Sequence, residues 1–421
     1  MSSSIFDFDV AVVGIGRVGL PLALLFASKG LRVLGVDRDR TILDPVNSGR
    51  MPFKEEGFQE LLDRGCAIET SDRIADCARA EKIIITVGTP FSEHIEMNLG
   101  HVNEVLKAMI PVLVPGQSII LRSTVAVGTT EFVRHRIEVE RGWQLGREFL
   151  LTFAPERILE GKALEELSRL PQPIGAEDDE SFQSARVLFT RLTAKTFHVS
   201  FRGAELVKLF CNTGRYVYFA LVNYFFMVAN EFGEDIYRLL EVTNEDYPRP
   251  ILFTPGFTGG PCLRKDFAMI SELFPQSDLF TSAWRINESL PKAIVDQIGE
   301  RVRITNKRVA VLGFTFKRDS DDIRDSLIQK LLRYLLREVP RQIRVSEPNL
   351  PASTMLDCGF ERFANLDPKA AVVGADVVIL AMNHSTFIDQ WPELMQGLRH
   401  GVLVVDVWNA CGKGEMFYYS T

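Results

Sequence analysis

Closely paired cysteines are missing from this chain. Its six cysteines, Cys66, Cys77, Cys211, Cys262, Cys358 and Cys411, are scattered over 421 residues with no C-x-x-C among them. That excludes a disulfide framework or a zinc knuckle as the organising principle. The six histidines show no H-E-x-x-H or other paired spacing, so no metal is expected. Positive charge is in deficit, 48 Lys and Arg against 55 Asp and Glu, for a net charge of -7. A grip on nucleic acid would need a basic face, so none is expected. The N-terminal MSSSIFDFDV lacks a basic segment followed by an apolar run. No secretory leader is expected there, and the expected location is cytoplasmic. The apolar stretch YVYFALVNYFFMVA, Tyr216 to Ala229, has 14 residues and contains Asn223. It falls short of the roughly 20 residues of a membrane span, so no membrane partner is expected. A helix apolar on every side is expected in a core or a subunit interface.

What is present is a repeated α/β pattern. At 46 % apolar and 24 % charged residues, the chain reads as globular and long enough for two or three domains. DVAVVGIG, LRVLGVD, EKIIITVGTP, QSIILRST and FLLTFAPE read as strands with helices between them. Continuous apolar strands alternating with helices predict a parallel, doubly wound sheet. Residues 203–245 read as helix throughout, and more helix runs to about residue 303. KRVAVLGFTFK, QIRVSEP, ADVVILAMN and GVLVVDVWN then start a second open sheet. The expected architecture is α/β: two Rossmann-like doubly wound lobes joined by a helical middle domain with a long central helix. The expected domains are 1–202, 203–304 and 305–421.

Five stretches could carry chemistry. In GIGRVG (Gly14, Ile15, Gly16, Arg17, Val18, Gly19) the first glycine permits a tight turn, the second admits a pyrophosphate and the third lets helix and sheet pack closely. Asp37 ends the next strand, eighteen residues past Gly19, where a carboxylate accepts ribose hydroxyls and repels a 2′-phosphate. That favours NAD over NADP, although Arg38 and Arg40 leave the second open. The bland alternative is a glycine turn beside an exposed aspartate. In AELVKLFCN, Glu205, Lys208 and Asn212 share one helix face, continued by Arg215. They read either as a solvated Glu–Lys pair or as a lysine held against buried surface and able to act as a base. GFTGGPCLRKD sets Cys262 among glycines and beside Arg264 and Lys265. Neighbouring positive charge favours thiolate, yet a lone cysteine is equally a small inert apolar residue. RSTVAVGTT and APERILEG put Thr124, Glu156, Arg157 and Glu160 past strand ends, where open α/β sheets bind ligands or where such residues cap helices. GFTFKRDSDDIRDS takes the phosphate-turn position of the second lobe without its glycines. Its Lys317 and Arg324 could meet phosphate, or belong to a charged surface loop.

Together and in this order these stretches resemble the UDP-glucose/GDP-mannose dehydrogenase family, the nucleotide-sugar 6-dehydrogenases, from Val10 to about Asn409. The resemblance implies NAD as cofactor, a UDP-sugar as substrate and a homodimer formed through the middle helix. It puts the nucleophile at Cys262, with Lys208, Asn212, Asp266, Thr124, Glu156 and Glu160 as its catalytic companions. NAD contacts fall on residues 14–19, Asp37, Thr89, Pro90, Thr124 and Arg324. Substrate contacts fall on Arg157, Ile158, Lys208, Asn212, Arg215, Tyr247, Arg249, Gly259, Phe316 and Lys317. The implied reaction is a four-electron oxidation of the sugar C6 hydroxymethyl to a uronic acid, through a cysteine thiohemiacetal and thioester, for polysaccharide precursor synthesis. PERILEG resembles the N-acetylhexosamine branch. Three positions depart from the family pattern: Ile42, Asn98, and Trp408 where members commonly carry arginine. Rival expectations are a two-electron NAD-dependent dehydrogenase and a silent nucleotide-sugar-binding protein.

Overall fold

The computed structural model describes residues 5–89, 99–159, 161–248, 252–260, 263, 265–267, 269–270 and 278–421. The chain forms two compact units that divide between Cys211 and Asn212.

In the first unit, β1 (Phe8–Val13), β2 (Val33–Val36), β3 (Glu69–Ser71), β4 (Ala80–Ile85), β5 (Gln117–Leu121), β6 (Phe149–Phe153), β7 (Gln172–Gly175) and β8 (Thr196–Val199) make one sheet. The strand order is β3-β2-β1-β4-β5-β6-β7-β8. The strands through β6 are parallel, while β7 runs antiparallel to β6 and parallel to β8. Val10 and Val12 of β1 point into one core with Leu20 and Leu24, and Ala11 and Val13 into another with Val105 and Leu106. Both faces of the strand are therefore covered, which is why its sequence is apolar without a break. The order reverses between β1 and β4, and the crevice at their carboxyl ends is where such sheets take ligands.

The second unit repeats the plan. Its sheet runs β10 (Gln342–Ser346), β9 (Arg308–Leu312), β13 (Val377–Leu380), β14 (Leu403–Asp406), β15 (Phe417–Tyr419), and only β15 is antiparallel to its neighbour. A two-stranded hairpin, β11 (Met355–Asp357) with β12 (Arg362–Ala364), forms a separate small sheet whose Leu356 and Phe363 join the same core as β9. Val309 and Val311 face a core shared with Val222, Phe226, Leu290 and Ile294 of the middle helices, whereas Ala310 and Leu312 face Phe387 and Leu394. In each unit the sheet's first strand in chain order, β1 or β9, is followed by a glycine of positive φ. Gly14 (φ 93°) donates its N–H to Val36 O at 2.7 Å, and Gly313 (φ 106°) donates to Ser346 O at 2.8 Å. A Cβ at Gly14 would lie 2.9 Å from Val87 N, and one at Gly313 2.9 Å from Met382 N.

The middle helices depart from expectation once. The helix expected over residues 203–245 is broken: Phe201–Glu231 ends, Gly233 takes a left-handed φ of 72°, and Asp235 caps a new helix, Ile236–Asn244, by accepting Tyr237 N–H. The apolar stretch is buried on one side only. Tyr216, Val222 and Phe226 are interior, while Leu221, Tyr224 and Val228 are exposed. Among the described residues, no helix is long and apolar enough to cross a membrane.

Candidate active site

The glycine turn leads from β1 into the helix Gly19–Ser28. A Cβ at Gly19 would overlap Gly14 O and lie 2.5 Å from Thr86 Oγ1, so the third glycine has no room for a side chain. Thr86 Oγ1 also donates to Gly14 O at 2.7 Å and pins the turn. Around Gly16 a Cβ would meet nothing within 4 Å. That open space, beside the first N–H groups of a helix, suits a diphosphate. Arg17 stacks over Phe53 at 5.1 Å, and Ile15 is buried. Asp37 is half-buried past β2 and accepts Asp39 N–H at 3.0 Å. The two arginines that left NADP open are turned to carboxylates: Arg38 to Glu104 at 3.0 Å and Arg40 to Asp72. Among the described residues nothing here favours a 2′-phosphate, and they fit NAD.

At the carboxyl ends of β4 and β5 the structure brings Thr89 and Thr124 together, the Thr89 hydroxyl donating to Thr124 O at 2.7 Å. Beyond β6, Glu156 is buried. Its Oε2 accepts both Nε (3.1 Å) and Nη2 (2.5 Å) of Arg122, and its Oε1 accepts Ile158 N–H at 2.5 Å. Arg122 is itself interior and also donates to Ala154 O and Gln172 Oε1, each at 3.0 Å. Arg157 donates to Pro171 O on the rim of a small cavity that Arg122 and Glu156 also line.

Glu205 does not pair with Lys208. Its carboxylate accepts Gly128 N–H at 2.7 Å, Thr130 N–H at 2.9 Å and Thr130 Oγ1 at 2.6 Å, at the start of the helix Thr129–Arg141. An anion there complements the helix dipole. Burial nonetheless pushes its carboxyl above the ordinary value, against those donors. Lys208 is thus left without that carboxylate. It is 8 % exposed, and among the described residues its ammonium makes no hydrogen bond or ion pair. One helical turn on, Asn212 Nδ2 donates to the fully buried Asp266 at 2.5 Å.

Asp266 follows the glycine loop, whose stem is tightly held. Asn223 clamps Gly256 by both backbone groups, at 3.1 and 2.9 Å, and a Cβ there would overlap the Trp408 ring. Gly260 has φ 92° and donates to Asp325 O at 3.1 Å, and a Cβ on it would lie 2.6 Å from the Phe316 ring. A Cβ at Gly259 would lie 2.8 Å from Asp325 O. Phe316 and Lys317 are half-buried after β9. Arg324 is bidentate to Asp322, with contacts of 2.5–3.0 Å. Arg215 and Tyr247 are exposed. Cys262, Arg249, Glu160, Pro90 and Asn98 lie outside the described residues.

The sequence alone assigns no role to Arg122, Asn223, Glu347 or His384. Arg122 and Asn223 each carried a signal, a lone charged or amide group inside an apolar run. Glu347 and His384 carried one only in their placement, each past the end of a strand in the second sheet.

Residues 8–193 match the NAD binding domain of the UDP-glucose/GDP-mannose dehydrogenase family, residues 202–289 its central domain and residues 310–413 its UDP binding domain. The chain belongs to this family. It is an NAD-dependent nucleotide-sugar dehydrogenase. Over 408 residues it is 29 % identical to the UDP-N-acetyl-D-mannosamine dehydrogenase of Pyrococcus horikoshii, covering 94 % of each chain. It is 30 % identical to the NDP-N-acetyl-D-galactosaminuronic acid dehydrogenase of Ralstonia solanacearum, covering 90 % of this chain and 92 % of that one. Among solved structures, a UDP-glucose dehydrogenase from Pyrobaculum islandicum superposes with a TM-score of 0.83 at 25 % identity, covering 98 % of this chain and 97 % of that one.

Proposed function

We propose that this dehydrogenase oxidises the C6 hydroxymethyl of a UDP-sugar to the uronic acid in two steps, with Cys262 as the covalent nucleophile. The observation that carries the reading is Lys208: a lysine 8 % exposed whose ammonium has no partner among the described residues, one turn from an asparagine held by Asp266. Such donors suit an oxyanion that develops during reaction. NAD+, when bound, supplies the two-electron acceptor for each oxidation. The Cys262 thiolate adds to the C6 aldehyde carbon, and Lys208 and Asn212 stabilise the oxygen of the resulting thiohemiacetal. Oxidation of that adduct leaves a thioester. Water then adds to the acyl carbon and the thiolate leaves, releasing the carboxylate. Capture on sulfur divides a difficult oxidation and retains a reactive aldehyde. Glu156 is suited to orient the water, because Arg122 fixes its Oε2 while Oε1 takes a single backbone donor.

An N-acetylhexosamine is the favoured sugar, in keeping with PERILEG and with the names of the mannosamine and galactosaminuronic acid relatives. The exposed apolar stripe Phe210, Leu221, Tyr224, Val228 and Phe232 supports a homodimer built on the long helix. We place the reaction in the cytoplasm and its product in glycan precursor supply. The test is a panel of UDP-N-acetylmannosamine, UDP-N-acetylglucosamine, UDP-glucose and GDP-mannose with NADH counted per sugar. Two NADH per uronate are expected, and Cys262→Ala should form no acid. One NADH per sugar, or acid formation by that variant at the wild-type rate, would replace this reading with a simple two-electron dehydrogenase.

A further inference from the structure

The loop between β1 and its helix needs only residues 14–18, whereas the loop between β9 and the helix Leu327–Arg337 needs residues 313–326. The longer loop lacks the glycine pattern that shapes the shorter one, so side chains must hold it. Glu347 is the first residue after β10, the place that Asp37 takes after β2. Asp37 is half-exposed, but Glu347 is 1 % exposed and turned inward. Its Oε2 accepts Phe314 N–H at 2.8 Å and Thr315 N–H at 3.1 Å, and stands 3.0 Å from His384 Nε2. Its Oε1 accepts Asn349 N–H at 3.0 Å and Nδ2 at 3.1 Å.

His384 comes from the carboxyl end of β13 and is fully buried. Its Nδ1 accepts Asp319 N–H at 2.8 Å and lies 3.0 Å from Asn349 Nδ2. With Nδ1 an acceptor, the hydrogen-bond network assigns the ring proton to Nε2, facing Glu347. Asp319 has φ 55° and in turn accepts Ser385 N–H at 2.8 Å and Oγ at 2.6 Å. Glu347 and His384 therefore hold the backbone at 314, 315 and 319. Phe316 and Lys317 lie between those anchors, and Phe316 packs on Gly260.

We infer that Glu347 and His384 are positioning residues for the nucleotide sugar: they set the backbone that presents Phe316 and Lys317, and the carboxylate that follows β10 is spent inward on that task. This rests on the proposed UDP-sugar reading. A buried polar cluster that merely stabilises the fold would act on both ligands alike.

The test measures UDP affinity by calorimetry and NAD+ affinity on the same preparation, for wild type, His384→Ala and His384→Gln. Folded His384→Ala should bind UDP about tenfold more weakly, the loss of roughly one or two hydrogen bonds. Its NAD+ affinity should be unchanged. His384→Gln can donate to Glu347 and accept from Asp319 N–H, and should recover most of the loss. Unchanged UDP affinity, or equal weakening of both ligands, would overturn the inference. If His384→Ala does not fold, Asn349→Ala takes its place. It should weaken UDP a few-fold and spare NAD+, and an equal effect on both would overturn the inference. Wild-type protein that binds no UDP overturns the substrate reading itself.

Discussion

Gly19 sits where any Cβ would overlap Gly14 O, with Thr86 Oγ1 2.5 Å away. Gly19→Ala must push the helix off the strand. It should cost about 1–3 kcal/mol, lower the melting temperature by several degrees and weaken NAD+ binding. An unchanged melt would contradict the packing. Arg122→Met leaves Glu156 charged, buried and unpaired, an expected loss of roughly 3–5 kcal/mol. Adding Glu156→Gln should restore part of it, as read by denaturant titration. The glycine turn was legible because its packing is local to one strand end and one helix start. Arg122 was not, because its partner lies 34 residues away past the end of the neighbouring strand and nothing in its neighbourhood names that partner.

Three elements meet at Gly256: the long helix supplies Asn223, the loop supplies the glycine, and the segment after β14 supplies Trp408, whose Nε1 is anchored on Ala381 O at 2.9 Å. Asn223→Leu would strip both backbone partners from a buried glycine, at about 1–3 kcal/mol for each group left unmet. We expect lower stability and a fall in kcat without a matching change in the KM for NAD+. A variant with wild-type kcat would show that this clamp does not serve the loop. From sequence, Asn223 only interrupted an apolar run, and Trp408 only departed from a family pattern. Their meeting depends on tertiary packing. The break at Gly233 was signalled by a glycine followed by the capping Asp235, but the apolar periodicity on either side masked it. Glu347 adds a pH dependence at the same scale. Burial would raise its carboxyl, yet His384 and the N–H groups of Asn349 and Phe314 outweigh burial and hold it below the ordinary value. A group lowered on folding contributes stability above its unfolded value of about 4.3 and loses it as pH falls through the folded value. The stability gap between wild type and Glu347→Gln should therefore narrow as the pH drops below about 4.3, followed by thermal melts.

The fold was readable at the scale of the whole molecule because strands covered on both faces announce themselves as unbroken apolar runs, once in each unit. The assembly has a direct test. Leu221→Glu with Val228→Glu places charge on the exposed stripe and should convert a dimer to a monomer by light scattering. In wild type the melting temperature should rise with protein concentration. Equal masses for wild type and variant would remove that stripe from the interface. The two units use one position in their shared plan differently, a half-exposed Asp37 in one and a buried Glu347 in the other. Their ligands should then not trespass on each other's site, and steady-state inhibition should keep them apart. UDP should compete with the nucleotide sugar and not with NAD+, and ADP-ribose should do the reverse. Crossed competition would mean that the lobes are interchangeable after all.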